Sequence, residues 1–219
     1  MKLVIFDVDG TLVNSRHHIL AAFHETFDHL GLPRPEDSAV ADVIGLSLTQ
    51  ACQKLIADKA AARAAATYYA ENYMRIQAAL MSGGPALYAG VGELLAELKD
   101  DQRFALGLAT GNSRRGVRRL LDTHQWHNWF ATIQTADDAP SKPHPAMVRQ
   151  AMAELGVSGD DTFMVGDTAW DVSMGVAAGA NAIGVTWGYH PEAQLVAAGA
   201  RFIARRLPEL RETLLGLAE

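Results

Sequence analysis

The sequence predicts an α/β protein: a Rossmann-like, doubly wound parallel sheet core with an inserted all-helical unit. Three observations predict it. Short apolar, partly β-branched runs alternate with amphipathic helical patterns along much of the chain. One long interval, 14–84, breaks the alternation and reads as consecutive helices. Polar, glycine-containing segments follow the apolar runs, where open parallel sheets bind their ligands.

The first run, Lys2–Phe6, is short and apolar and reads as a buried strand that delivers Asp7 at its C-terminal end. Helices follow. Ile19, Leu20, Phe23, Phe27 and Leu30 form one helical stripe, which "GLPRPED" ends. Helical patterns resume at Asp37–Val43, Ser47–Ala57 and Lys59–Ala79, with Gly45 as a break. The alanine-rich stretch belongs to the last of these, since alanine is the best helix former. "SGG" at Ser82–Gly84 returns the chain to the core, so both junctions carry residues suited to a hinge. Beyond it, Val91–Lys99 reads as a helix and Phe104–Ala109 as the second core strand. Ser113–Thr123 is amphipathic and basic. Pro145–Leu155 starts with a proline at a position the first helical turn tolerates. Weaker strands are expected at Ala131–Thr135, Thr162–Val165 and Asn181–Thr186. The expected division is 1–14 with 84–219 as the core and 15–83 as the helical unit.

With 49% hydrophobic and 20% charged residues, the 219-residue chain has the composition of an ordinary globular protein. A formal charge of −6 argues against nucleic acid or an anionic membrane as partner. The single cysteine, Cys52, forms no internal disulfide, reads as a buried residue of the helical unit, and suits a reducing cytoplasm. The N-terminal apolar stretch is too short for a signal peptide, and no segment is long and apolar enough to span a bilayer.

The polar residues at strand ends make a chemical set. After the first strand come Asp7, Asp9, Gly10 and Thr11; after the second, Thr110, Gly111 and Asn112. Lys142 lies in a proline-braced loop, and Asp167 and Asp171 follow a later strand. A hard cation such as Mg²⁺ takes oxygen ligands, which Asp7, Asp167 and a backbone carbonyl near Asp9 offer. The cation would keep Asp7 ionised, ready to attack phosphorus. Asp9 is placed to protonate the leaving oxygen and later to take a proton from water. Thr110, the Gly111 amide and Lys142 would hold and neutralise the phosphoryl group. Taken singly, Asp-x-Asp is a common solvated turn, "TGN" an ordinary turn, Lys142 a surface lysine, and "GDTAWD" a helix start capped by Asp167 or Thr168. Their joint position at the ends of one sheet favours the catalytic reading.

Four ordered motifs carry a resemblance: "DVDGTLV" at Asp7–Val13, "ATGN" at Ala109–Asn112, "SKP" at Ser141–Pro143 and "GDTAWD" at Gly166–Asp171. With the helical insertion between the first two, the chain resembles the haloacid dehalogenase (HAD) superfamily of phosphatases, a HAD-like fold with an α-helical cap. "WGY" at Trp187–Tyr189 brings it closest to phosphoglycolate phosphatase-like members. The resemblance implies Asp7 as nucleophile and metal ligand, and Asp9 as acid/base with its carbonyl on Mg²⁺. It implies Thr110 and Gly111 on phosphate, Lys142 between nucleophile and phosphate, Asp167 on the metal and Asp171 supporting it. Gly10, Thr11 and Asn112 complete the phosphate and substrate set, with Arg16 and the Gly45–Ser47 turn facing the substrate from the cap. The expected partner is a small phosphorylated metabolite, 2-phosphoglycolate first, and the expected assembly a monomer or homodimer. Sugar-phosphate phosphatase, pyrophosphatase, nucleotidase and phosphomutase activities share these core residues, and a receiver-like phospho-aspartate signalling domain is the rival from another class. Asn14 and Asn112 depart from the family pattern, which has Asp and Lys there in many members. The second removes a positive charge near the substrate mouth.

Overall fold

The computed structural model describes residues 1–80 and 85–217. Strands β1 (Lys2–Phe6), β4 (Phe104–Ala109), β5 (Thr132–Gln134), β6 (Thr162–Gly166), β7 (Asn181–Val185) and β8 (Phe202–Ala204) form one sheet. Its order is β5-β4-β1-β6-β7-β8, and every neighbouring pair is parallel. β1 is central because Leu3, Val4, Ile5 and Phe6 have no polar side chain to leave in water, and all four are fully buried. Their alternation serves two layers. Val4 and Phe6 pack with Leu95, Leu98, Leu108 and Leu214, while Leu3 and Ile5 pack with Met147, Met164 and Met174 on the other face.

The flanking helices are α5 (Val91–Asp100), α6 (Arg114–His124), α7 (Ala146–Leu155), α8 (Ala169–Ala178), α9 (Glu192–Ala197) and α10 (Leu207–Gly216). All the core strands and helices expected from the sequence are present, with ends shifted by a few residues. β8, α9 and α10 extend the core past the last expected strand. β8 is short and only half-buried over Phe202 and Ile203, so its apolar pattern was too brief to register.

The interval after β1 holds α1 (Arg16–His29), α2 (Asp37–Ala41), α3 (Leu48–Leu55) and α4 (Lys59–Leu80). They enclose their own apolar cluster, in which Ile19, Phe23 and Phe27 of the α1 stripe meet Val40, Ile44, Cys52 and Ala65. α2 stops at Ala41, earlier than the expected Val43. Burial pushes the Cys52 thiol up to about 11, which makes it an inert packing group at neutral pH. A two-stranded antiparallel ribbon joins the helical unit to the core: β2 (Val13–Asn14) pairs with β3 (Ala86–Leu87). The sequence reading missed it because two residues carry no periodicity. The expected return at Ser82–Gly84 lies outside the described residues.

Polar contacts seat the helical unit on the core. The Ser47 amide donates to Ser141 Oγ at 2.7 Å. Trp170 Nε1 donates to the Asp42 carbonyl at 3.1 Å, and Lys54 lies over the same indole. Ser15 and Tyr189 share a hydroxyl–hydroxyl bond at 2.9 Å. Gly111 makes the tightest approach: a Cβ there would stand 2.4 Å from the Leu46 carbonyl oxygen and 2.6 Å from that of Gly45.

Candidate active site

The strand order dictates where a site forms. The chain leaves β1 for β4 on one side and β5 beyond it, then crosses to β6 on the other side of β1. Loops leaving β1 and its two neighbours therefore diverge above the C-terminal end of β1 and open a crevice there. Asp7 is the first residue past that end, its amide donating to the Val165 carbonyl at 2.9 Å. Thr110 directly follows β4 and Asp167 directly follows β6, so three strands deliver three site residues to one crevice.

A buried charge network occupies its floor. Lys142 is fully buried, and its Nζ donates to Asp7 Oδ1 at 2.5 Å and to Asp171 Oδ1 at 2.6 Å. Asp171 Oδ2 accepts from the Thr168 amide and hydroxyl, while Thr168 Oγ1 accepts from the Asp171 amide. "GDTAWD" is thus a capping box at the start of α8 and part of the site at once. Asp167 Oδ1 accepts from Thr11 Oγ1, and its Oδ2 from the Tyr189 amide, both at 2.8 Å. Asp7 Oδ2 is buried and has no hydrogen-bond partner.

Burial, the largest cause, lifts the Asp7 carboxyl to about 7; Lys142 pulls it down, and Asp171 and Asp9 push it up. Burial and the charges of Asp171 and Asp7 hold Asp167 well above the carboxylate range. Burial opposes the charge on Lys142, yet Asp171 and Asp7 together outweigh it and raise its pKa. Three carboxylates facing one ammonium leave the floor short of positive charge. Asp7, Asp167 and Asp171 each present an oxygen within 4.8 Å of the others. This all-oxygen set, with an orphaned Asp7 oxygen in it, fits a hard divalent cation.

Above the floor, Thr110 Oγ1 accepts from the Asn112 amide at 3.1 Å, so its own proton is free to donate. Asn112 Nδ2 donates to Asp9 Oδ2 at 2.9 Å, which gives the unexpected asparagine a definite contact beside the acid/base candidate. Burial raises the Asp9 pKa, moderated by Ser15 and Lys142. A cavity of about 170 Å³ begins here, with Asp7, Asp9, Thr110, Gly111 and Asn112 on the core side and Gly45 among the insertion residues.

The remaining expected site residues stand elsewhere. Thr11 is turned onto Asp167 and positions that carboxylate. Gly10 has a φ of +92°, and a Cβ there would come within 2.3 Å of Asp167 Oδ2, so it serves the close packing of the loop. Ser47 begins α3 and faces Ser141. Arg16 lies over the Tyr189 ring, away from the cavity lining. Tyr69 and Tyr73 of α4 and Arg119 of α6 line the cavity, and the sequence reading passed over all three. Tyr73 and Arg119 are half-buried members of amphipathic helices and carry no motif; nothing short of tertiary placement marks them.

Fold and site together define a doubly wound α/β enzyme built around a carboxylate–lysine centre at the end of its middle strand. The family model for haloacid dehalogenase-like hydrolases matches residues 4–185, and the chain belongs to that family. The chain is 37% identical over 213 residues to a probable phosphatase, IndB, of Dickeya dadantii, covering 95% of this chain and 91% of that protein. It is 30% identical to pyrophosphatase PpaX of Bacillus pumilus, covering 96% of this chain and 94% of the relative. A crystal structure described as a predicted phosphatase from Clostridium acetobutylicum superposes with a TM-score of 0.85 at 26% identity, covering 98% of both chains. Among the described residues no helix is long and apolar enough to cross a membrane.

Proposed function

We propose that this hydrolase is a Mg²⁺-dependent phosphatase that cleaves a small phosphate monoester through an aspartyl-phosphate on Asp7. The observation that carries the reading is the state of Asp7: one oxygen pinned by Lys142, the other buried without a partner beside Asp167. In this reading Asp7, Asp167 and the Asp9 carbonyl hold Mg²⁺, and Asp171 supports them through Lys142. Bound there, Mg²⁺ supplies positive charge that draws the phosphoryl oxygens and keeps Asp7 ionised. An Asp7 carboxylate oxygen bonds to phosphorus as the ester P–O bond breaks. Asp9, whose raised pKa suits holding a proton, gives it to the leaving alkoxide. Asp9 then takes a proton from the water that attacks phosphorus and frees Asp7. Thr110 and the Gly111 amide donate to the phosphoryl oxygens while Lys142 keeps the nucleophile in place.

Residues 15–83 act as a cap that excludes water and reads the leaving group, on a core of 1–14 and 84–219. 2-Phosphoglycolate is the reference substrate. Pyrophosphate is the second reading, favoured by the relative named as a pyrophosphatase. The enzyme works in the cytoplasm as a monomer or homodimer on a soluble metabolite; its single, buried cysteine fits a reducing compartment.

Hydrolysis of p-nitrophenyl phosphate tests the reading directly. Turnover is expected with Mg²⁺ and lost with EDTA; full activity after exhaustive chelation would remove the metal from the mechanism. Thermal melts carry a pH signature. Metal-free, the folded protein keeps a proton on Asp7 that the unfolded chain loses between its ordinary 3.8 and about 7, so this group's contribution to stability falls as pH rises through that window. A cation must displace that proton, so the rise in Tm given by Mg²⁺ is expected to grow as pH rises toward about 7 and to level off above it. A Mg²⁺ shift independent of pH would place the cation away from Asp7.

Asp9→Asn separates acid from nucleophile. In single-turnover phosphorylation an alkyl phosphate is expected to slow by about 10²–10⁴-fold, and p-nitrophenyl phosphate by far less, because its leaving group needs little protonation. Equal losses for both would remove Asp9 from the role of acid.

A further inference from the structure

The cavity over Asp7 and Asp9 does not end at the leaving oxygen. A second cavity of about 340 Å³ adjoins it, and the two share Asp9, Tyr73, Asn112 and Arg119 in their walls. Near Asp9 the insertion side is apolar and aromatic, with Phe23, Leu46, Tyr69 and Tyr73. The α6 side of the walls is cationic. Arg115 faces the inner cavity and Arg119 faces both.

These two arginines are four residues apart on α6, so they share one helix face, and like charges at that spacing repel. Burial and the charge of Arg115 hold the Arg119 pKa below the ordinary arginine value. Arg114, next in sequence, has Asp138 as a counter-ion. Among the described residues Arg115 and Arg119 have no carboxylate within ion-pair distance. Gln77, in the wall of the outer cavity, is hydrogen-bonded to the Tyr73 hydroxyl. Tyr73 connects the two ends: its hydroxyl feels the negative charge of Asp9 and the positive charge of Arg119.

We propose that the leaving group of the natural substrate is about ring-sized, lies apolar against Tyr73, and carries a second anionic group that Arg119 and Arg115 bind. The anion supplies the counter-charge that α6 lacks. Glycolate is smaller than a ring-sized group, so 2-phosphoglycolate serves as the contrasting ester. The proposal rests on the phosphatase reading above and names the substrate class for that same site.

The test uses the whole protein with Mg²⁺ and four esters: phenyl phosphate, 4-carboxyphenyl phosphate, the bisphosphate of hydroquinone and 2-phosphoglycolate. The readout is kcat/KM relative to phenyl phosphate, in wild type, Arg119→Met and Arg115→Met. Comparing the ratio between proteins cancels the intrinsic reactivity of each ester. Wild type is expected to favour at least one of the two anionic ring esters, and Arg119→Met to shrink that preference by about tenfold or more, as for loss of a charged hydrogen bond. The effect should fall mainly on KM, with partial recovery in Arg119→Lys. Whichever anionic ester shows the larger Arg119-dependent ratio identifies the distal group as carboxylate or phosphate. Arg115→Met, more exposed and so easily tolerated, provides the same comparison if Arg119→Met fails to fold. A preference that survives both substitutions, or 2-phosphoglycolate outperforming both anionic ring esters, overturns the proposal while p-nitrophenyl phosphate turnover leaves the phosphatase reading standing. Absence of turnover on p-nitrophenyl phosphate as well overturns both.

Discussion

Asp7→Asn is expected to lower turnover on the order of 10⁴-fold or more, the scale seen when a covalent nucleophile is removed. The substitution keeps the shape and removes the reacting charge. Stability should move the other way. The Asp7 carboxylate is buried beside Asp171 and near Asp9, and Lys142 retains Asp171 when Asp7 is neutral. In EDTA at about pH 8, above the raised Asp7 pKa, the variant should melt no lower than wild type. Wild type quenched in acid should carry a phosphoryl group that hydroxylamine releases, and the variant should carry none. A variant with near-normal kcat would move the chemistry off Asp7.

Lys142→Met is expected to have the largest effect on the fold. The ammonium is fully buried and is the only cation bonded to both Asp7 and Asp171 among the described residues. Removing it leaves two buried carboxylates uncompensated, with Asp167 close by. Breaking a buried pair in this way costs about 3–5 kcal/mol, which for a chain of this size lowers Tm by roughly 6–20 °C. Activity should be lost as well, because Asp7 is then no longer held in place. Excess Mg²⁺ should return part of the stability, and differential scanning calorimetry with and without Mg²⁺ measures this. A variant that melts like wild type in EDTA would show that the three carboxylates are not ionised together in the folded state.

The elements most legible in the sequence were those where burial is nearly continuous. Lys2–Phe6 is buried at all but its first residue and Phe104–Ala109 at all but its second, and the strands begin and end at the expected positions. The site was legible because its parts sit at strand ends, where a parallel sheet must gather them. Thr168 shows the limit of choosing between readings, since the helix cap and the site turned out to be one structure. The β2–β3 ribbon, β8 and the cavity walls were not legible for a physical reason. Two-residue strands have no period, β8 is half-buried over Phe202 and Ile203, and Tyr73, Gln77 and Arg119 acquire their meaning only when α4 and α6 are brought together beside Asp9. Thr11 donates to Asp167, a contact the sequence does not mark, because a hydroxyl beside the motif aspartates can donate to a phosphate or to a carboxylate.

The central position of β1 governs how the protein comes into being on the ribosome. β1 is made before its partners, which begin at Phe104 and at Thr162, and of the two residues that complete the Asp7 network Lys142 comes before the second partner and Asp171 after it. Until then the nascent chain carries an apolar segment, Leu3–Phe6, with both edges unpaired, while the four helices of the insertion close their local contacts behind it. The waiting strand is the segment a holding chaperone would grip and the seed from which misassembly would start. The same delay means that a nascent chain shorter than Asp171 does not yet hold the complete carboxylate–lysine cluster around Asp7.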